Sequence, residues 1–265
     1  LVRYDRTGYN LEPELLERLP YADPDGVTYH FFLRKGVRFH DGSELTAHDV
    51  KFTFERILNP NTPSPHKMFL RPIVGADAVE RGETTELAGF RIIDDHHFII
   101  RLTRPYAPFV SMLAVPALSI YPRRAVQAAG DDWPLRPVGT GPFKLAEWVR
   151  GSRLRFVRHE QYFEEGLPYL DAVEYRIVPD EATAMLEFEA GNLDIGGIPD
   201  ADFQRITTDP RWKDHVLSVP SLNTYFLMFN MDNPLTRDVR VRRAIAMAID
   251  KQLLVDTLLQ GRAAV

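Results

Sequence analysis

Cysteine is absent from the 265 residues, which excludes cysteine nucleophiles, thiolate metal sites and disulfides. The absence suits a reducing or an oxidising compartment alike. No apolar run of about eighteen residues occurs, so no segment has the length of a membrane-crossing helix. Positive charge is not in excess: 32 Lys+Arg against 37 Asp+Glu leave a net charge of −5. With no strongly basic stretch either, the chain offers no electrostatic footing to nucleic acid or an acidic membrane surface. A starting Met and a signal peptide are also missing. The chain opens at Leu1-Val-Arg-Tyr-Asp5 like a strand under way and closes at Arg262-Ala-Ala-Val265 just past a helix. These ends read as those of a piece excised from a longer mature protein.

What is present is ordinary for a globular protein: 45% hydrophobic, 11% aromatic and 26% charged residues. The length predicts two packed units. A chain of this size buries roughly three quarters of its unfolded surface, so it needs neither disulfide nor metal.

Thr28 to Leu33 is rich in strand formers, with turns at Lys35-Gly36 and Asp41-Gly42. Thr46-Ala-His-Asp49 has the spacing of a capping box and predicts a helix through Val50, Phe54, Ile57 and Leu58, ending before Pro60. Phe90 to Leu102 predicts a hairpin turning at Asp94-Asp95. Beyond Tyr121-Pro122 strands and helices alternate. Phe143–Trp148 and Arg153–Arg158 pair about Gly151-Ser152. A strand follows from Ala172, then a helix from Glu181 closed by Gly191. Short strands are expected at Leu193–Ile195 and at Leu222–Asn230, with Asp200 capping the helix between them. Asp238 and Asp250 cap the last two helices, with Val241, Ala244, Ile245, Ala248 and Ile249 inward on the first and Leu253, Leu254 and Leu258 on the second. Phe31, Phe52, Phe143 and Phe156 are expected in the core. The fold class is α+β in two subdomains.

Candidate chemistry is thin. Gly139-Thr-Gly-Pro-Phe-Lys144 lacks the spacing of a phosphate loop, and Pro142 removes an amide such a loop would use; it reads as a tight turn. His96 and His97 would face opposite sides of a strand and could not share a metal. His30, His40 and His48 match no metal-ligand spacing. Glu80, Glu83 and Glu86, or Glu187 and Glu189, could pair as acid and base only if their surroundings drew two pKa values apart, and those surroundings read as solvated. No G-x-S-x-G elbow occurs. Catalytic residues, metal ligands and cofactors are therefore assigned to none.

Four segments carry a resemblance. They are Phe32-Leu-Arg-Lys-Gly-Val-Arg-Phe-His-Asp-Gly42 with Leu45-Thr-Ala-His-Asp-Val50 and Phe54-Glu-Arg56; Val138-Gly-Thr-Gly-Pro-Phe143; Glu189-Ala-Gly-Asn-Leu-Asp-Ile195; and Asn223 to Asn230 with Asp238-Val-Arg-Val-Arg-Arg-Ala-Ile-Ala-Met-Ala-Ile-Asp-Lys251. In their order and intervals these resemble the family 5 extracellular solute-binding proteins of ABC-type peptide and nickel importers, over essentially the whole chain.

The resemblance implies a periplasmic binding protein-like lobe of type II, peptide-binding subclass, with a mixed β-sheet, flanking helices and a smaller α/β subdomain. Residues 1–123 would be the smaller subdomain and 124–265 part of the larger one, with the second lobe absent. It implies a protein that captures a solute, an oligopeptide or dipeptide first, in a cleft that closes about a hinge and engages a membrane permease. It also implies a periplasmic or extracytoplasmic location, free or lipid-anchored, with no direct membrane insertion, no nucleic acid and no enzymatic step. The rival readings are a sensor or chaperone-like binding protein on the same fold and, more remotely, a hydrolase.

Candidate ligand contacts carried over are His66, in a loop where peptide-binding relatives place an aromatic, Gly196, Gly197 and Ile198, and Ser221, Asn223 and Tyr225 on one strand face. Phe226 replaces that face if the strand twists there. Peptide binders often carry aromatics where this chain has Gly197 and Ser221, which leaves room for a bulkier ligand. A micromolar ligand corresponds to about −8 kcal/mol. A half cleft loses contacts while most of the association entropy cost remains, so this chain alone is expected to bind at millimolar strength or not at all.

Overall fold

The computed structural model describes residues 1–62, 64–219 and 223–265. The chain forms two compact units, Leu1–Gly197 and Ile198–Val265.

The first unit opens with a short antiparallel pair, β1 (Val2–Tyr4) and β2 (Leu11–Pro13). Next come β3 (Tyr21–Ala22) and β4 (Thr28–Phe32), then the helices α1 (Ala47–Leu58) and α2 (Ala76–Glu80). The hairpin β5 (Phe90–Asp94) and β6 (His97–Arg101) completes a four-stranded antiparallel sheet in the order β3-β4-β6-β5. Helices α3 (Phe109–Met112) and α4 (Arg123–Ala129) lead to a three-stranded antiparallel sheet, β7 (Phe143–Val149), β8 (Arg153–Arg158) and β9 (Ala172–Arg176), ordered β7-β8-β9. Helix α5 (Glu181–Glu189) follows, capped by the Asp180 carboxylate on the Thr183 N–H and closed by Gly191 at φ +78°. The expected α+β class is what the chain forms.

The core lies between α1 and the four-stranded sheet. Alternation along β4 sends Phe31 inward and leaves His30 and Phe32 on the outer face. Phe31 sits opposite Phe98 in β6, their rings stacked at 4.9 Å, and Phe98 stacks on Phe90 at 4.8 Å. Phe54 meets Phe90 edge-on at 6.0 Å, and α1 buries Ala47, Val50, Phe54, Ile57 and Leu58 as one helical stripe. Burying a phenylalanine side chain in this way contributes about 1.5–3 kcal/mol.

The capping box starts α1 as the spacing predicts: the Asp49 carboxylate accepts the Thr46 N–H at 3.0 Å and its hydroxyl at 2.9 Å. Its other oxygen accepts the Arg123 N–H at 3.0 Å, tying the start of α1 to the start of α4. Gly89 knits the edge of this body. It donates to Val74 O, accepts from the Arg101 N–H, and has no room for a Cβ, which would lie 2.7 Å from Arg101 O and 2.9 Å from both Ile73 Cγ2 and Val74 N.

The second unit holds α6 (Phe203–Thr208), α7 (Pro234–Arg237), α8 (Val239–Ala248) and α9 (Lys251–Thr257). The Asp238 carboxylate caps α8 on the Arg240 N–H and that of Asp250 caps α9 on the Leu253 N–H, as expected.

Several expectations change. The hairpin turns one residue later, because Asp94 ends β5 and its carboxylate accepts the His96 and His97 N–H groups, both at 2.8 Å. Phe52, Phe143 and Phe156 are only partly buried. Leu193–Ile195 is no strand: it lies between the left-handed Gly191 and Gly196-Gly197, and among the described residues no strand pairs with it. Leu222 lies outside the described residues, and 223–230 form neither helix nor strand, because among the described residues these strand formers have no partner strand and so no ladder to join. Asp200 opens a 3₁₀ turn, Asp200–Asp202, and binds Arg262 at 2.8 Å instead of capping α6. On α8, Val241, Ile245 and Ile249 are partly buried while Ala244 and Ala248 are exposed. Leu253, Leu254 and Leu258 are exposed and Val255 is buried, since so small a unit encloses little beyond Ile206 and Val255.

Candidate functional site

Within the first unit, His66 precedes the 3₁₀ turn Lys67–Phe69 and stacks on Phe69 with ring centroids 6.1 Å apart. Its backbone N–H donates to Ser64 Oγ at 3.3 Å. Gly196 packs under Phe188, where an added Cβ would stand 3.5 Å from the ring in ordinary contact. Gly197 faces open space. Both glycines are exposed.

In the second unit, Ile198 is partly buried, and Asn223, Tyr225 and Phe226 are exposed, the two rings by 87% and 71%. Ser221 lies outside the described residues. Because 223–230 form no strand, period-two alternation does not set a common face for Asn223 and Tyr225. What the segment offers is a run of uncovered apolar side chains, Tyr225, Phe226, Leu227 and Met228.

A second feature joins two segments that the sequence leaves apart. The 139–142 turn is clamped by two histidines. His40 N donates to Gly139 O at 2.9 Å, and Gly139 N donates back to His40 Nδ1 at 3.2 Å. Since Nδ1 accepts, the proton rides on Nε2, which donates to Gly141 O at 3.0 Å. His159 is buried, its Nδ1 donates to the same carbonyl at 3.2 Å, and the two imidazoles meet edge-on at 5.0 Å. Burial lowers the His40 pKa below its ordinary 6.5, with the Gly141 carbonyl bond acting against that. The tight turn is thus the joint between the Phe39-His40-Asp41-Gly42 segment and the start of β7. The pairing of those two motifs is invisible in one dimension, since His40 and Gly141 are 101 positions apart. Beside the joint lies an open cavity of about 430 Å³ lined by His40, Asp41, Arg136, Lys144, Glu147 and Trp148.

Of the carboxylates singled out in the sequence, Glu80, Glu83, Glu86 and Glu187 are engaged with cations. Glu80 takes Arg71 through two bonds at 2.7 and 2.9 Å, Glu83 takes Arg81 at 2.6 and 3.1 Å, and Glu86 takes Lys51. These arginine bonds hold Glu80 and Glu83 below the ordinary carboxylate pKa, the opposite of what a general acid requires. Glu187 accepts from Arg176 and Asn192, both at 3.0 Å. His96 lies in the hairpin turn 3.4 Å from Glu44, apart from His97 in β6. Among the described residues, no group of three or more His, Cys, Asp or Glu side chains could hold a metal ion, and no helix is long and apolar enough to cross a membrane.

Comparison with known proteins matches residues 10–265 to the model of the bacterial extracellular solute-binding proteins, family 5 Middle. Heme-binding protein A of Haemophilus influenzae is 33% identical, the alignment covering 98% of this chain and 49% of the relative. The periplasmic oligopeptide-binding protein OppA of Salmonella typhimurium is 30% identical over 89% of this chain and 44% of its own length. The chain therefore spans about half the length of the curated relatives it matches. Among solved structures, the murein tripeptide binding protein MppA of Escherichia coli superposes with a TM-score of 0.84 at 28% identity, covering 97% of this chain and 50% of that one. OppA of Burkholderia pseudomallei also gives 0.84, at 25% identity, 97% and 51%. The fold is that of the type II periplasmic binding proteins, sheets flanked by helices.

Proposed function

The chain belongs to the bacterial extracellular solute-binding proteins of family 5, and from that premise we propose that it supplies part of one lobe of an importer's binding protein. That protein captures a peptide-like solute in an interlobe cleft and releases it, chemically unchanged, to an ABC-type membrane permease. Its place is the periplasmic or extracytoplasmic side of the membrane. The observation that carries this reading is the family match across 10–265, joined to the uncovered aromatic rings of Tyr225 and Phe226.

In this reading residues 1–123 are the smaller subdomain of the lobe and 124–265 part of the larger. His66, Gly196, Gly197, Ile198, Ser221, Asn223, Tyr225 and Phe226 contact the solute. Tyr225 and Phe226 carry most of the affinity, because aromatic anchors dominate such surfaces. The open space around Gly197 admits a solute bulkier than a dipeptide. By itself the chain binds at millimolar strength or weaker, since the association entropy cost is not halved with the contacts.

Native mass spectrometry of the complete natural protein tests the reading. A co-purified peptide-like species at one per protein supports it. A protein that binds no peptide from a mixed di- to nonapeptide pool contradicts it.

A further inference from the structure

The outer face of the four-stranded sheet carries a feature that solute capture does not use. In the register of β4 and β6, His97 stands opposite Phe32 and Ile99 opposite His30, so His30 and His97 are diagonal neighbours on the face turned away from the core. His30 Nδ1 lies 3.4 Å from His97 Nε2. Two imidazole nitrogens bound to one tetrahedral zinc ion at the usual Zn–N length lie about 3.4 Å apart.

Each ring is held by a stacked aromatic neighbour. Tyr21 stacks on His30 at 4.9 Å, Phe32 stacks on His97 at 4.3 Å, and the Arg18 guanidinium lies 4.1 Å over Phe32. The far nitrogen of His30, Nε2, faces the Asp23 carboxylate at 3.3 Å. A carboxylate behind a ligating histidine fixes the tautomer that leaves the other nitrogen's lone pair free for a metal. Here that free nitrogen is the one aimed at His97.

We propose that His30 and His97 form a two-histidine site for a zinc-like divalent cation, with Asp23 as the positioning residue behind His30. Water completes the tetrahedron, consistent with the absence of a third protein ligand among the described residues. In the metal-free protein one proton lies between the two nitrogens. On binding, each nitrogen gives its lone pair to the cation, His30 keeps its proton on Nε2 toward Asp23, and His97 carries its own on Nδ1. Nitrogen donors in this geometry suit zinc over calcium or magnesium, which take oxygen ligands.

Calorimetric titration of the full chain with zinc chloride tests the site. One zinc per chain is expected, weakened at least tenfold by His30→Gln or His97→Gln and about tenfold by Asp23→Asn. His215→Gln, an exposed histidine in the other unit, is expected to leave it unchanged. In the wild type itself, zinc should shift the ring-nitrogen resonances of His30 Nδ1 and His97 Nε2 together, a readout that needs no variant. A wild-type chain that takes up no stoichiometric zinc, or zinc uptake that both glutamine variants retain in full, would overturn the proposal.

Discussion

The His40 imidazole donates from Nε2 to the Gly141 carbonyl oxygen at 3.0 Å while its Nδ1 receives the Gly139 N–H at 3.2 Å. The second of these bonds exists only for the neutral ring, because a protonated imidazole has no acceptor nitrogen, while the first survives protonation. The folded state therefore holds this histidine neutral, with its pKa lowered chiefly by burial. The unfolded chain binds a proton at His40 more readily than the folded chain does. Stability from this group is thus complete above the unfolded value of 6.5 and is lost as pH falls through the folded pKa. Urea midpoints at pH 7 and pH 5 should show wild type losing more stability on acidification than His40→Gln. Equal losses would count against the clamp.

Asp49 serves two helices, through Thr46 at the start of α1 and the Arg123 N–H at the start of α4. Asp49→Ala should lower unfolding stability by about 1–2 kcal/mol, at the upper end for a lost cap. Asp238→Ala, which caps α8 alone, should cost about 1 kcal/mol. Denaturant titration of the two variants compares them; a smaller loss for Asp49 would contradict the double role.

Gly89 has its Cβ position occupied by Arg101 O, Ile73 and Val74. Its φ is not left-handed, so the restriction is one of space and not of backbone conformation. Gly89→Ala should destabilise by about 1–3 kcal/mol through overpacking. Gly36→Ala, at φ +73° in open space, tests strain without crowding and should cost less. Thermal melts of both give the comparison.

These positions mark what one dimension could and could not convey. The cap of α1 was legible because Thr46 and Asp49 lie within one turn, and the hairpins because their strands adjoin in sequence. The caps at Asp238 and Asp250 were legible for the same reason. The 223–230 segment was misread because its strand-forming residues register preference, while a strand also needs a partner to accept its hydrogen bonds. The His40–Gly141 joint was missed because contacts between distant segments leave no local pattern. Of the candidate solute contacts, the glycines and exposed aromatics came from resemblance, and nothing in their local spacing would have selected them.

Tyr225 is exposed by 87%, so its removal leaves the fold intact, and under the proposed reading it removes a solute anchor. Tyr225→Ala in the complete natural protein should weaken solute binding at least tenfold with an unchanged melting temperature. Unchanged affinity would remove Tyr225 from the site.

The central claim is capture without chemistry. Incubating the complete natural protein with a defined oligopeptide, then weighing both bound and released peptide by mass spectrometry, addresses it directly. The account predicts one peptide held per protein and returned at its original mass. Cleaved or modified peptide accumulating beyond one equivalent, or no retained peptide at all, would contradict it.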